Sequence, residues 1–360
     1  MLQNGKSWKF SLKTYIFIFN VGRGMAIFIR TPFNHGIIYD MGCSDEFSPA
    51  EFLHEQILPH LECYCGSKVA QVILSHPHAD HIQEIDRIKA DSPLYPSLLT
   101  CPHDKPGNPD EAIDWDRMQL SNATDGLLGN YRDLYAKRRL PLQTIRYEGS
   151  ARVPNVAYGV YYVRPPKVAE LFPNDDHAYG NGVSLALYYR HGSNSILIPG
   201  DINPESLSHL LAERAGAEKR FTAFDRDYVK SNPTHHSASS GPGLREVLQE
   251  HGLSVLVAPH HGLKSCYCGD IYNYIKGGKP GLVAISEKRH MGENDGEVDK
   301  RYQNEGGSHG NRVQIDGGKL EKKYSVSTRN GHHILVKFSG TSPPEVILEE
   351  TAECLLQHLD

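Results

Sequence analysis

Between Ser75 and His81 the chain reads SHPHADH, crowding His76, His78, Asp80 and His81 into one short stretch. Imidazole and carboxylate are the donors that hold zinc, manganese or iron, and ligation requires that they converge. At a strand end, residues two apart point to the same side, so His76 and His78 can grip one ion together. Asp80 and His81 lie past the turn and can grip a second ion beside the first. Four donors do not complete two coordination shells, so further ligands are expected at other strand ends. ILIPGD runs into Asp201, and VLVAPHHG runs into His260 and His261. Each repeats the same layout of apolar strand, turn and ligand. Three such segments in series point to a two-metal centre rather than a polar surface loop.

Two divalent ions make hydroxide available near neutral pH and pull on a carbonyl or phosphoryl oxygen. The reaction class expected is therefore metal-assisted hydrolysis. Zn2+ is the expected ion and Mn2+ the alternative, because a carboxylate among imidazoles shifts a site towards harder metals. Asp80 or Asp201 can orient the nucleophile or carry its proton. The leaving group needs a proton or a cation, for which the spare histidine of PHHG and Lys264 are candidates. Adjacent residues of an extended segment point in opposite directions, so one of His260 and His261 is expected to face the metals. Gly262 lets the backbone turn close to an ion, which favours His261 as the ligand and His260 for acid–base work, with the reverse assignment the alternative.

The elements that must position these residues can be read around them. YIFIFN and MAIFIR, joined by VGRG, and then GIIYD read as adjacent antiparallel strands. SPAEFLHEQILPHL opens on a serine and carries helical periodicity. KVAQVILS is an apolar strand running into the histidine cluster, and IQEIDRIKA reads as a helix leaving it. The cluster thus lies at the C-terminal end of a buried strand, where α/β proteins keep their chemistry. Residues 91–150 are polar and irregular, with a helix expected over LLGNYRDLYAKRR, and read as an insertion; a second is expected near 215–245. GVYYVRPP, VSLALYYR and NSILIPGD are strands, the last two forming a hairpin around HGSN. PESLSHLLAERAG is a helix, and LSVLVAP, GLVAIS and HHILVKF are late strands. This order predicts a single α/β domain over 1–360, a sandwich of two mixed sheets covered by helices.

The 360 residues are 39% hydrophobic and 22% charged, with a formal net charge of −5, the composition of a globular domain. That balance gives no general attraction to nucleic acid or an anionic membrane. AKRRL, residues 136–140, is the one dense basic run and reads as the solvated side of a helix. No segment has the ~20 apolar residues of a membrane helix, and YIFIF is too short for a signal peptide. The expectation is a cytoplasmic protein without a membrane partner. The seven cysteines, an odd number, fit reduced thiols. Cys63/Cys65 and Cys266/Cys268 form two C-x-C pairs, closer spaced than zinc motifs usually are. His235/His236 and His332/His333 match no ligand motif and read as surface or supporting residues.

The H-x-H-x-D-H cluster, followed by Gly-Asp after one strand and His-Gly after another, resembles the metallo-β-lactamase superfamily. FNVGRGMAIFIRTP, IIYDMG, NGVSLALYYRHGSNSILIPGD and LSVLVAPHHG together resemble the hydrolase domain of bacterial DNA-uptake (competence) channels and its free-standing relatives. LVAISEK, DKRYQN and VSTRNGHHILV are similar to the C-terminal part of those relatives. The resemblance implies an αββα four-layer sandwich with a binuclear site. In it His76 and His78 would bind metal one, Asp80 and His81 metal two, Asp201 would bridge, and His261 would complete metal two. Asp40, in IIYDMG, would accept a ligand imidazole N–H or brace the loop. Many members carry a further histidine on metal one; His177 or Asn181 of NDDHAYGNGVS stands in that region. The resemblance points to a nuclease or phosphodiesterase acting on a nucleic-acid strand end or a small phosphodiester. Hydrolysis of another ester, a thioester or a lactam is the alternative, and a non-hydrolytic metal-binding protein a third reading.

Overall fold

The computed structural model describes residues 12–63, 66–102, 113–119, 125–137, 156–212, 218–223, 242–287, 298–304, 311–318 and 320–359. The strands are β1 (Thr14–Ile18), β2 (Ile27–Arg30), β3 (Gly36–Tyr39), β4 (Val69–Ile73), β5 (Leu98–Thr100), β6 (Val156–Val163), β7 (Ala186–His191) and β8 (Asn194–Ile198), then β9 (Glu218–Ala223), β10 (Val255–Val257), β11 (Leu282–Ile285), β12 (Asn311–Ile315), β13 (Leu320–Lys323), β14 (Ser325–Ser327), β15 (His333–Phe338) and β16 (Glu345–Glu349). Among the described residues they form two mixed sheets, ordered β13-β12-β16-β15-β1-β2-β3-β4-β5 and β14-β11-β10-β8-β7-β6-β9.

Side chains alternate between faces along each strand, and both faces here are apolar. Ile16 and Ile18 of β1 meet Ile196 and Ile198 of β8 and Val255 and Val257 of β10 in a core between the sheets. Tyr15 and Phe17 point the other way, onto Phe52, Leu53 and Ile57 of the 49–60 helical segment and onto Ile82. Leu197 and Leu256 pack outward against Leu207, Leu210 and Leu211 of the helix Pro204–Ala212 and against Leu244 and Leu248. Three apolar layers thus separate helices, sheet, sheet and helices, the αββα arrangement. Among the described residues no helix is long and apolar enough to cross a membrane.

The strands expected around the site all form, with β1, β2 and β3 antiparallel neighbours and β7–β8 a hairpin. Two segments differ. The helix expected over IQEIDRIKA is a single α-turn, Ala79–Ile82, followed by the 3-10 turn Ile85–Arg87. Glu84 breaks it: its N–H donates to Met41 O (2.9 Å), and its carboxylate accepts from Ala50 N (2.8 Å) and Ser48 Oγ. The first of these takes the N–H that a continuous helix would use in its own ladder, and the carboxylate bonds hold Glu84 there. The stretch 91–150 is not wholly an insertion, since β5 pairs in parallel with β4 as the edge of its sheet. A helix does run over Asp125–Lys137. Most of 215–245, His235/His236, Cys65 and the last three residues of AKRRL lie outside the described residues.

Candidate metal centre

Neighbouring strands β3 and β4, and β8, β10 and β11, run parallel, so their C-terminal ends face one edge of the sandwich. The chain leaves β3 through Asp40, β4 through Ser75 and His76, β8 through Gly200 and Asp201, β10 through PHHG and β11 through Ser286. Both sheets therefore supply donors to one place.

Asp40 is fully buried and organises the first cluster. It accepts from Ser75 N (2.6 Å), Ser75 Oγ (2.7 Å) and His81 Nδ1 (2.7 Å). A carboxylate only accepts, so Nδ1 of His81 carries its hydrogen towards Asp40 and Nε2 turns into the cluster. The Ser75 hydroxyl spends its proton on Asp40 and therefore accepts from His76 Nδ1 (3.0 Å), which turns His76 Nε2 inward as well. His261 Nδ1 lies 3.0 Å from the carbonyl of Ser286, again leaving Nε2 inward. Three imidazoles thus present the same nitrogen to one volume.

Asp201 is the centre of that volume. Its Oδ1 lies 3.2 Å from His81 Nε2, and its Oδ2 lies 3.5 Å from His260 Nε2 and 3.6 Å from His261 Nε2. Asp80 Oδ2 lies 3.6 Å from His261 Nε2. Two sets of donor atoms result, His76–His81–Asp201 and Asp80–His81–His261, each within 4.8 Å of one another. The buried Nε2 atoms of His76, His78, His81 and His261 and Oδ1 of Asp201 have no hydrogen-bond partner; the 3.2 Å approach of His81 to Asp201 lacks the alignment for one. Each such orphaned group costs about 1–3 kcal/mol unless something satisfies it. Four imidazole nitrogens and a carboxylate oxygen orphaned together fit divalent cations in donor chemistry.

The electrostatics agree. Burial would raise the Asp201 carboxyl, but the imidazoles of His81, His260 and His261 outweigh it and hold it well below the usual carboxylate range. Asp80, opposed by burial in the same way, is held at about 2 by His81 and His261. Burial would lower the His81 imidazole, yet the carboxylates of Asp201, Asp40 and Asp80 raise it well above its ordinary value. Asp201 and Asp80 therefore stay ionised at neutral pH and favour positive charge between them, whereas burial raises the Asp40 carboxyl behind them.

His78 packs its ring on His76 (centroids 4.4 Å apart) and on His177 (5.0 Å) and belongs to neither donor set. Its Nε2 faces Gly180, where a Cβ would stand 2.6 Å away. His177, on the short helix Asp176–Gly182, walls the cluster without entering a donor set; Asn181 of the same helix places Nδ2 3.4 Å from His177 Nδ1, and its buried Oδ1 has no hydrogen-bond partner. Lys264 is exposed on the next turn, where its charge acts on Asp299. His332 pairs with Asp316 (3.1 Å) at the surface, and His333 accepts from Asn20 N (3.2 Å) beside Phe47.

The expectation that PHHG is extended is overturned. His260 (φ 46°, ψ 53°) and His261 (φ 56°, ψ 19°) are both left-handed, and Gly262 follows at φ 76°. Side chains no longer alternate there, and both rings reach the same oxygen of Asp201. Sequence reasoning also gave no role to Ser75, Ser286 or Cys266. Ser75 and Ser286 do stand at strand ends, the position that identified the ligands. Cys266 Sγ lies 2.9 Å from His260 Nδ1, whereas Cys268 Sγ faces Ser208 Oγ (3.6 Å), so this C-x-C pair does not converge.

No protein-family model matches the chain, and no curated protein matches it. Among solved structures it is similar to the metallo-beta-lactamase fold protein YhfI from Bacillus subtilis, with a TM-score of 0.34 and 12% identity over 82% of this chain and 93% of that one.

Proposed function

We propose that the chain is a binuclear metal-dependent hydrolase of the metallo-β-lactamase superfamily, cleaving a phosphodiester at a nucleic-acid strand end or in a small molecule. The observation that carries this reading is the convergence of orphaned imidazole nitrogens of His76, His81 and His261 on Asp201. When bound, two divalent ions supply a nucleophile at neutral pH and draw charge from the phosphoryl oxygen. His76 and Asp201, with His78 beside them, would hold one ion and Asp80, His81 and His261 the other. His81 stands in both donor sets, but its Nδ1 hydrogen is held by Asp40 and the one lone pair of Nε2 serves a single ion. Asp40 and Ser286 fix the imidazole orientations, so little reorganisation is left for the reaction. Asp80, its side chain 32% exposed, can reach the nucleophile from the solvent side and accept its proton. His260 faces the same volume and can donate to the departing oxygen. The phosphodiester rests on the sequence resemblance to the DNA-uptake hydrolases. The net charge of −5 favours a strand end or small molecule over a long duplex footprint.

The test is a substrate panel of bis-p-nitrophenyl phosphate, nitrocefin and a thioester, offered to protein loaded with zinc or manganese. Metal-dependent turnover of the phosphodiester, lost in Asp201→Ala together with bound metal, is the expected result. Turnover of the lactam or thioester alone would move the protein to the other hydrolase class. Full activity and metal content in Asp201→Ala would remove the centre described above.

A further inference from the structure

Four histidines face Asp201, and three hold their Nδ1 hydrogen against an acceptor: His81 against Asp40, His76 against Ser75 and His261 against Ser286. His260 is wired the other way. Its Nδ1 meets the thiol of Cys266 at 2.9 Å and the amide nitrogen of Asn181 at 3.5 Å. A thiol is a donor to imidazole nitrogen and a poor acceptor, and an amide N–H2 only donates. The thiol is the nearer of the two: with its S–H aimed at Nδ1, that nitrogen carries the lone pair. We propose that Cys266 is a positioning residue: its S–H, with Asn181, keeps the His260 ring proton on Nε2, so that His260 offers the site a hydrogen-bond donor and not a metal ligand.

The surroundings hold this arrangement in place. Cys266 is buried, on the 3-10 turn Lys264–Cys266, and burial pushes its thiol up to about 11, so it keeps its proton. The left-handed backbone at His260 and His261 swings both rings to one side, which makes the difference between their outer partners, Cys266 and the Ser286 carbonyl, the feature that separates their roles. In the hydrolase reading, on which this consequence rests, the Nε2–H donates to the departing oxygen while His261 ligates.

The experiment is long-range 1H–15N NMR of the histidine rings in the zinc-loaded full chain, with His260 identified by the signals lost in His260→Ala. Wild type should show His260 protonated at Nε2 with Nδ1 unprotonated. Cys266→Ser, which keeps a donor, should preserve that tautomer. Cys266→Ala should shift population to Nδ1–H with zinc stoichiometry unchanged, and kcat on the phosphodiester should fall about tenfold with KM held, restored in Cys266→Ser. A proton on Nδ1 of His260 in wild type, zinc on its Nε2, or an unchanged tautomer in Cys266→Ala would overturn the proposal. If Cys266→Ala does not fold, the wild-type and Cys266→Ser spectra decide it. A tautomer that shifts as described in a protein inactive on the whole panel would uphold the Cys266 role and remove the hydrolase reading.

Discussion

His81 is the most heavily engaged side chain of the centre. It touches Asp40 at 2.7 Å and Asp201 at 3.2 Å and belongs to both donor sets, whereas His76 belongs to one. The Nδ1 hydrogen of His81 is held by Asp40, so the one lone pair of Nε2 serves a single ion. In the proposed binuclear reading His76→Ala should empty one position, and His81→Ala should empty the other and also loosen the first, because Asp201 loses its nearest partner. Zinc per chain, measured by mass spectrometry after gel filtration, checks this: equal losses in the two variants would contradict the coupling through Asp201. At this scale the sequence is informative about identity and silent about orientation. Spacing and strand-end position pick out His76, Asp80, His81, Asp201 and the PHHG histidines. The Ser75 bridge from Asp40 to His76 and the left-handed turn at His260 and His261 depend on chain segments far apart in sequence, which no local pattern encodes.

At the scale of elements, strands were legible because each carries an unbroken apolar run with turn residues at its ends, and burial on both faces demands that pattern. The helix after the cluster was not, because Glu84 spends its backbone N–H on Met41 rather than on a helical ladder, and its carboxylate bonds to Ser48 and Ala50 hold it there. The turn after β8 has a similar hidden constraint. Gly200 has φ 61°, and a Cβ there would stand 2.9 Å from both Ser75 Cβ and Tyr39 Oη. Tyr39 is itself fixed, donating to the Leu185 carbonyl at 2.5 Å. Gly200→Ala must therefore strain the backbone and push apart the loops carrying His76 and Asp201. A loss of roughly 1–3 kcal/mol is expected, together with weakened metal binding. Gly317→Ala is the control: φ is 66° there with nothing within 4 Å, so it carries the backbone term alone. Urea denaturation and zinc titration of both variants decide the matter, and equal losses would show that crowding at Gly200 does nothing.

The whole molecule is two sheets that share a core and two kinds of tie. Polar ties cross the core away from the site: Tyr158 donates to Gln71 Oε1 (2.6 Å), and Thr14 Oγ1 of one sheet meets Tyr189 and His191 of the other, both at 3.1 Å. Burial lowers the His191 imidazole from 6.5 to about 4. Between those values the unfolded chain takes up a proton that the folded one refuses, so this contribution is complete above pH 6.5 and fades as pH falls towards 4. At about 1.4 kcal/mol per unit, the effect is of order 3 kcal/mol. Metal-free His191→Gln should show a shallower fall of Tm across that window than metal-free wild type; parallel curves would refute it. The second tie is the proposed metal centre, because His76, Asp80 and His81 follow β4 of one sheet while Asp201 and His261 follow β8 and β10 of the other. Ions held there would clamp sheet to sheet, and because the site exists only in the folded state they would stabilise it by mass action. At a hundredfold excess over Kd that is roughly 2.7 kcal/mol per site. A chelator should therefore lower the Tm of zinc-loaded protein by several degrees while unfolding stays a single transition, since the two sheets share one core. Asp201→Asn, which weakens the central bridge, should unfold at nearly the same temperature with and without chelator. Scanning calorimetry at pH 7.5, where His191 is silent, isolates the clamp. A wild-type Tm indifferent to chelator, with zinc shown to be bound beforehand, would mean that the cluster holds its ions without coupling the two sheets.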